Sequence, residues 1–428
     1  MGCGRYPGLC LSGRPQGPGE GHSGSGCGSH PLRSASEAVL DRAPGDGGRD
    51  PRAAPWACSQ VCGVPGRCSD RLRRACSAAG LLCDYRLQNH HPAERRDSGS
   101  ARRRRLVTRS HEPIRVEVTR GGVVESVHDL DAVVVSSGGT VVDSWGDPDR
   151  AVLPRSSTKP IQAVPLVVTG AADAFDLTDR ELALACSSHN AEPAHVSAVV
   201  RWLELVGATP ADLECGAYPP LHEPAAVDLA RSGAEPDASY NNCSGKHAGF
   251  LTVCRHEGVP FSGYLESSHP LQRDHITPAL EEWCGIDLSD HVPGVDGCGI
   301  PVWEVPLARL AHGWARLGSG PAGSAEHRLL SAMRSEPFLV AGTGRACTRL
   351  IAESTGGSVV KTGAEGVYCG TVPDDGLGIA LKARDGAGRA SGMAMEWILG
   401  TLGRMNEGHD DPVRNVAGTV VGTIRVAT

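Results

Sequence analysis

The run Arg155-Ser156-Ser157-Thr158-Lys159-Pro160 reads Ser-x-x-Lys, a hydroxyl and an amine three residues apart. Residues at that spacing share a helix face, so Ser156 Oγ and Lys159 Nζ are able to meet. A serine hydroxyl becomes a useful nucleophile only when a base takes its proton. Lysine serves as that base only where burial or a neighbouring cation lowers its pKa from roughly 10.4 towards neutrality. A helix starting near Ser156 would hold Pro160 in its first turn, where a missing N–H costs least. The positive end of that helix would then lie beside the serine. Alone the run is weak, because serine and lysine are common and a solvated helix explains the pair equally well.

Two further runs follow in order, Ser188-His189-Asn190 and Lys361-Thr362-Gly363. The order Ser-x-x-Lys, Ser-Asp-Asn, Lys-Thr-Gly marks serine acyl-transfer sites of the β-lactamase and penicillin-binding type, here with histidine in the middle place. In such a site the first serine is acylated and a second serine passes protons between two lysines. Lysine usage points the same way. The chain has 38 Arg but only four Lys, namely Lys159, Lys246, Lys361 and Lys382. Arginine cannot be deprotonated in a protein, whereas lysine can. Three of the four lysines fall in the runs that carry chemistry.

Outward from these runs, strands lie at both ends. Ile114 to Val118 alternates, Gly121-Gly122 is a turn signal, and Val123 to His128 reads as a second strand. Ala132 to Val135 and Thr140 to Val142 flank Gly138-Gly139 as another hairpin. Strand signals return at Ser358 to Lys361, Gly366 to Val372 and Gly378 to Lys382. Between them, helices are expected at 178–186, 193–205, 224–232, 243–256, 268–284, 305–317, 324–334 and 343–354, with one more at 389–402. Terminal strands with helices between them make an α+β plan: one antiparallel sheet from both chain ends, a helical subdomain, and the site where they meet.

The 428 residues allow two or three domains. Residues 1–110 carry 18 Arg, no Lys and nine acidic residues, a formal charge of +9. The remainder has 24 basic and 40 acidic residues, a formal charge of −16. An acidic catalytic region, 111–428, argues against nucleic acid as its partner. No apolar run reaches the roughly 18 residues of a membrane helix. The first 110 residues show no sustained period and read as disordered, or as sequence upstream of a true start near Val107. Cys58, Cys62, Cys68, Cys76 and Cys83 are too irregularly spaced for a zinc module. With no leader pattern in this sequence, the thiols are expected reduced and the compartment cytoplasmic.

The run Asn241-Asn242-Cys243-Ser244-Gly245-Lys246-His247 sets Cys243, Lys246 and His247 on one helix face. Asp296-Gly297-Cys298-Gly299 carries a second thiol. Cys243 and Cys298 together suit a soft cation such as zinc, although free cysteines are commonly small buried hydrophobes. His189 and His247 read as scaffold. Arg155 reads either as a clamp for a substrate carboxylate or as a surface charge.

Taken together these runs resemble the bacterial L-asparaginase II family of the rhizobial, zinc-containing type. The matching stretches are Val116 to Gly121, Arg155 to Pro160, Cys186 to Pro193, Asn241 to Gly249, Asp296 to Pro301, Ala341 to Arg345 and Lys361 to Val367. One departure is Ala191, where the family often has glycine. The resemblance implies a serine β-lactamase/glutaminase-like fold and an L-asparagine amidohydrolase, working as a homodimer. It implies Ser156 as nucleophile with Lys159 as its base, and Ser188 with Lys361 as a second serine–lysine pair. It further implies Cys243, Lys246 and Cys298 as zinc ligands with Asp296 nearby, and Arg155 and His247 as substrate contacts. The alternatives are a glutaminase or other serine amidohydrolase on the same fold, or a non-catalytic metal- or ligand-binding module.

Overall fold

Nine strands among the described residues build the main sheet, and valine is the residue that recurs in most of them, as suits a pleated surface. They are β1 (Arg109–His111), β2 (Ile114–Arg120), β3 (Val123–Ser136), β4 (Val141–Trp145), β5 (Val359–Thr362), β6 (Val367–Val372), β7 (Leu377–Ala383), β8 (Asp411–Arg414) and β9 (Val420–Val426). The computed structural model describes residues 109–406 and 410–427. The call on residues 1–110, including the Cys58 to Cys83 run, therefore lies outside the described residues apart from the last two.

The strand order is β8-β9-β2-β3-β7-β6-β5. These neighbours pair antiparallel, with Ile114 opposite Leu130 and Val133 opposite Ala380. β4 pairs with the far half of β3, and β1 lies parallel to β4. The two strands expected at 123–128 and 132–135 are one continuous strand, because Asp129 and Asp131 are accommodated within it rather than ending it. Asp131 is buried, and it is held by Arg384, Arg150 and the Asp147 amide.

From Leu130 to Val135 every residue of β3 is buried, and so are six of the seven residues of β7. Continuous burial means that both sheet faces are covered. Helices α7 and α10 do this, and each buried valine or leucine contributes about 1.5–3 kcal/mol. The α-helices longer than one turn are α1 (Lys159–Val168), α2 (Asp179–Ala185), α3 (Pro193–Leu205), α4 (Glu223–Ser232), α5 (Ser244–Glu257), α6 (Thr277–Cys284), α7 (Leu307–Gly318), α8 (Ala325–Ser335), α9 (Ala346–Glu353) and α10 (Gly388–Thr401). Two expected helices begin late. The stretch from 268 opens with a π-helical turn at Leu271–Ile276 before α6, and the stretch from 343 becomes helical only at Ala346.

The chain is therefore α+β, with an antiparallel sheet from both ends and a helical body between them. Strand β5, on the sheet edge, meets the start of α1. That junction holds the site.

Candidate active site

The expected helix at Ser156 opens instead as a 3-10 turn, Arg155–Thr158, and α1 begins at Lys159. The turn is tied by Ser157 Oγ donating to Pro154 O at 2.7 Å and Thr158 Oγ1 donating to Arg155 O at 3.0 Å. Arg155 has φ +52°, a left-handed conformation that a side chain adopts only at a cost of order 1–2 kcal/mol. Strained backbone of this kind persists only where its surroundings hold it, and here it lies beside the candidate nucleophile. Ser156 is partly exposed, and its Oγ makes no hydrogen bond with any described residue. Gly363 permits the neighbouring strand to pass. A Cβ there would stand 2.6 Å from Pro154 O and 3.4 Å from the Ser157 nitrogen.

Lys159 is 1% exposed, and its amine makes no hydrogen bond to Ser156. It donates to Ser188 Oγ at 3.0 Å, to Cys243 Sγ at 3.1 Å and to Ser187 O. Lys361, also buried, donates to the same Ser188 Oγ at 2.8 Å and to Thr362 O at 2.8 Å. Burial lowers the Lys361 pKa to about 7; the Lys159 and Arg345 cations add to this, and nearby thiols oppose it. A hydroxyl has two lone pairs and one proton. With an amine on each lone pair, the Ser188 proton is free to point at a third group. This is the geometry of a proton relay, and it joins three of the four residues expected to carry the chemistry.

The other cluster forms at the start of α5. Cys243 is the N-cap residue, and Gly245 lets the first turn press on α2: a Cβ there would meet Leu184 O at 2.4 Å. Lys246 Nζ donates to Cys298 Sγ at 3.0 Å. A hydrogen bond from Cys298 holds Cys243 well below the usual thiol range and pushes Cys298 up. Burial opposes protonation of Lys246, but the two thiols and Asp296 outweigh it and hold the ammonium form. Asp296 accepts from Arg155 Nε at 2.7 Å and from the Gly297 amide at 2.6 Å. The two thiols and the amine thus converge as expected, and that donor set suits zinc once the amine gives up its proton. Among the described residues no group of three His, Cys, Asp or Glu is arranged to hold a metal, so lysine is needed as the third donor.

His189 and His247 flank the two clusters, and burial lowers the pKa of both well below the usual range. His189 Nδ1 accepts from the Ala191 amide, so Nε2 carries the proton and donates to Ser244 Oγ at 2.9 Å. His247 Nδ1 meets Tyr264 OH at 2.7 Å, while its buried Nε2 has no partner.

A third group was not singled out by the sequence reading. Glu192 accepts from the Thr343 amide and from Thr343 Oγ1, both at 2.8 Å, and Asn190 Nδ2 donates to Thr343 O at 3.0 Å. Ser188 N–H donates to Val340 O at 2.9 Å. These bonds staple the loop after Ser188 to the Gly342-Thr343-Gly344-Arg345 turn. The only sequence signal for it is the glycine itself. Gly342 has φ +113°, and a Cβ there would lie 2.5 Å from Glu192 Oε1.

The L-asparaginase II family model matches residues 116–426, most of the chain. No curated protein matches it. Solved structures with partial likeness include Mglu in its native form in the presence of 4.3 M NaCl, at 16% identity and TM-score 0.38, covering 66% of this chain and 63% of that one. The chain thus spans less than two thirds of that Mglu chain. A β-lactamase from Mycobacterium bovis has 17% identity and TM-score 0.30, covering 60% of this chain and 87% of that one. D-alanine carboxypeptidase AmpC from Burkholderia cenocepacia has 13% identity and TM-score 0.28, covering 59% and 87%. With the family match running from the first long strand to the last, this chain belongs to the L-asparaginase II family.

Proposed function

We propose that this protein is an amidohydrolase that converts L-asparagine to L-aspartate and ammonia through an acyl-enzyme on Ser156. Family membership supports the amidohydrolase class. The observation that carries the mechanism is Ser188 Oγ bridged between Lys159 and Lys361, with the Ser156 hydroxyl, one turn before Lys159, free of bonds to described residues. Ser156 Oγ attacks the side-chain amide carbon, and its proton passes to Lys159 once that amine is neutral and swings from Ser188 towards Ser156. The C–N bond then breaks, and the leaving nitrogen takes a proton delivered through Ser188 and departs as ammonia. Water, deprotonated by the same relay, attacks the ester carbon, releases L-aspartate and returns the proton to Ser156. The start of the 155–158 turn and the strand at Lys361 supply N–H groups for the oxyanion.

Arg155, held on Asp296, and His247, with its unpartnered Nε2, border the substrate. In this reading Cys243, Cys298 and neutral Lys246 would hold a zinc ion. A zinc ion there would supply fixed positive charge to position substrate and loop, since a serine already provides the nucleophile. A homodimer and a cytoplasmic setting belong to the same reading. Among the described residues no helix is long and apolar enough to cross a membrane.

Ammonia release from L-asparagine and L-glutamine tests the proposal. Ser156→Ala should lose at least about a thousandfold in kcat while melting like the parent chain. Near-normal turnover in that variant removes Ser156 from the mechanism. Faster release from glutamine than from asparagine reassigns the substrate.

A further inference from the structure

The cations around the site are unequally matched. Arg155 gives its Nε to Asp296 at 2.7 Å, so its charge is offset. Arg345 is half-buried at the N-cap of α9 and has no ion-pair partner among the described residues. Its Nη1 donates to Asn190 Oδ1 at 2.8 Å, two residues from Ser188. That bond orients the guanidinium and uses one of its five N–H groups. Nε and Nη2, the edge that grips a carboxylate with two parallel bonds, have no acceptor among the described residues. Glu192, the nearest carboxylate in this network, is taken up by Thr343 and Asn190. No side chain caps α9, so the positive start of that helix adds to the same field. The Arg345 charge reaches the site, since it acts on both Lys361 and His189.

A half-buried cation whose fork has no acceptor among the described residues, and whose charge acts on Lys361, is suited to grip an anionic group of a substrate. We infer that Arg345, rather than Arg155, takes the α-carboxylate of the substrate and thereby makes the site select amides that carry one. This rests on the amidohydrolase reading above. It assigns Asn190 the task of holding the guanidinium in register, and Glu192 the task of holding the turn that presents it.

A matched pair of substrates tests this: L-asparagine, and 3-aminopropanamide, which is the same amide without the α-carboxylate. Where turnover of the second is slow, its inhibition constant replaces kcat/KM. In the parent chain, asparagine should be preferred. In Arg345→Met the preference should fall about 10- to 100-fold, mainly through KM, as expected for losing a charge-assisted bidentate contact. Arg345→Lys, which keeps the charge but not the fork, should fall between the two and serves if the methionine variant does not fold. An unchanged preference, with both probes weakened together, overturns the inference and leaves Arg345 as a loop support. So does a preference abolished by Arg155→Met and kept by Arg345→Met. A parent chain that releases no ammonia from either amino-acid amide sinks the amidohydrolase reading first, and this inference with it.

Discussion

Lys361 sits fully buried with two hydrogen bonds and no acidic partner, and it is pressed by the Lys159 and Arg345 charges. Desolvation is the largest cause of its lowered pKa, about 7, so the neutral amine dominates above that pH and the ammonium below it. The sign for catalysis follows. If the relay needs a neutral amine, kcat/KM for amide hydrolysis should rise with pH through about 7 and then level. Lys361→Arg should remove both the limb and most of the activity, because a guanidinium cannot deliver or accept the proton. A flat profile from pH 5.5 to 8.5 in the parent chain would exclude Lys361 as the titrating group. The sequence made this residue conspicuous, since lysine is scarce and the Lys-Thr-Gly run is specific. It did not reveal that Lys159 turns to Ser188 rather than to Ser156. An i, i+3 spacing fixes which residues share a face on a helix, and the turn at Ser156 is 3-10 with a left-handed Arg155 before it.

At the level of elements, the site is made where β5 presses on the 155–158 turn. The contact is backbone against backbone, and Gly363 makes room for it. Gly363→Ala would put a Cβ 2.6 Å from Pro154 O and must displace the turn that carries Ser156. We expect about a hundredfold loss of turnover, the scale associated with displacing a reacting group by about 1 Å, with the secondary structure kept by circular dichroism. Wild-type activity in that variant would show that the turn tolerates the shift. The loop after Ser188 follows a similar rule. Ala191 lies in it with φ +56°, which accounts for a glycine being common at that place. In the Gly342 turn, a lone Gly-x-Gly carries no chemistry by itself. Its use emerges only with Glu192 and Asn190 packed against it from 150 residues away.

Across the whole molecule, one buried acid ties the sheet to its flanks. Asp131 in the middle of β3 accepts Arg384 Nη2 at 2.6 Å and the Asp147 amide at 2.9 Å, and pairs with Arg150. Burial would raise its pKa, but the Arg384 hydrogen bond, the Asp147 amide and the two cations outweigh this and hold it below the ordinary 3.8. A carboxylate so depressed adds stability that is complete above 3.8 and lost as pH falls through the native value. Asp131→Ala should cost about 3–5 kcal/mol at pH 7, as breaking a buried ionic network does. The penalty should shrink as the medium is acidified below 3.8; a constant penalty from pH 7 to 3 would refute this role.

The sequence by itself determined the α+β class, the strands between residues 114 and 142 and between 358 and 382, and the five runs that hold the serines, lysines and thiols, because periodicity and scarce residue types are local properties. It did not mark β9, which pairs with β2 across 300 residues. Its interior Gly422 weakens the strand pattern, yet is required where a Cβ would meet Thr119 O at 1.8 Å. Tertiary structure alone decided which amine holds which hydroxyl, which arginine is offset by an acid and which keeps an open fork. Those outcomes depend on distances between groups far apart in the chain, and no local pattern encodes such distances.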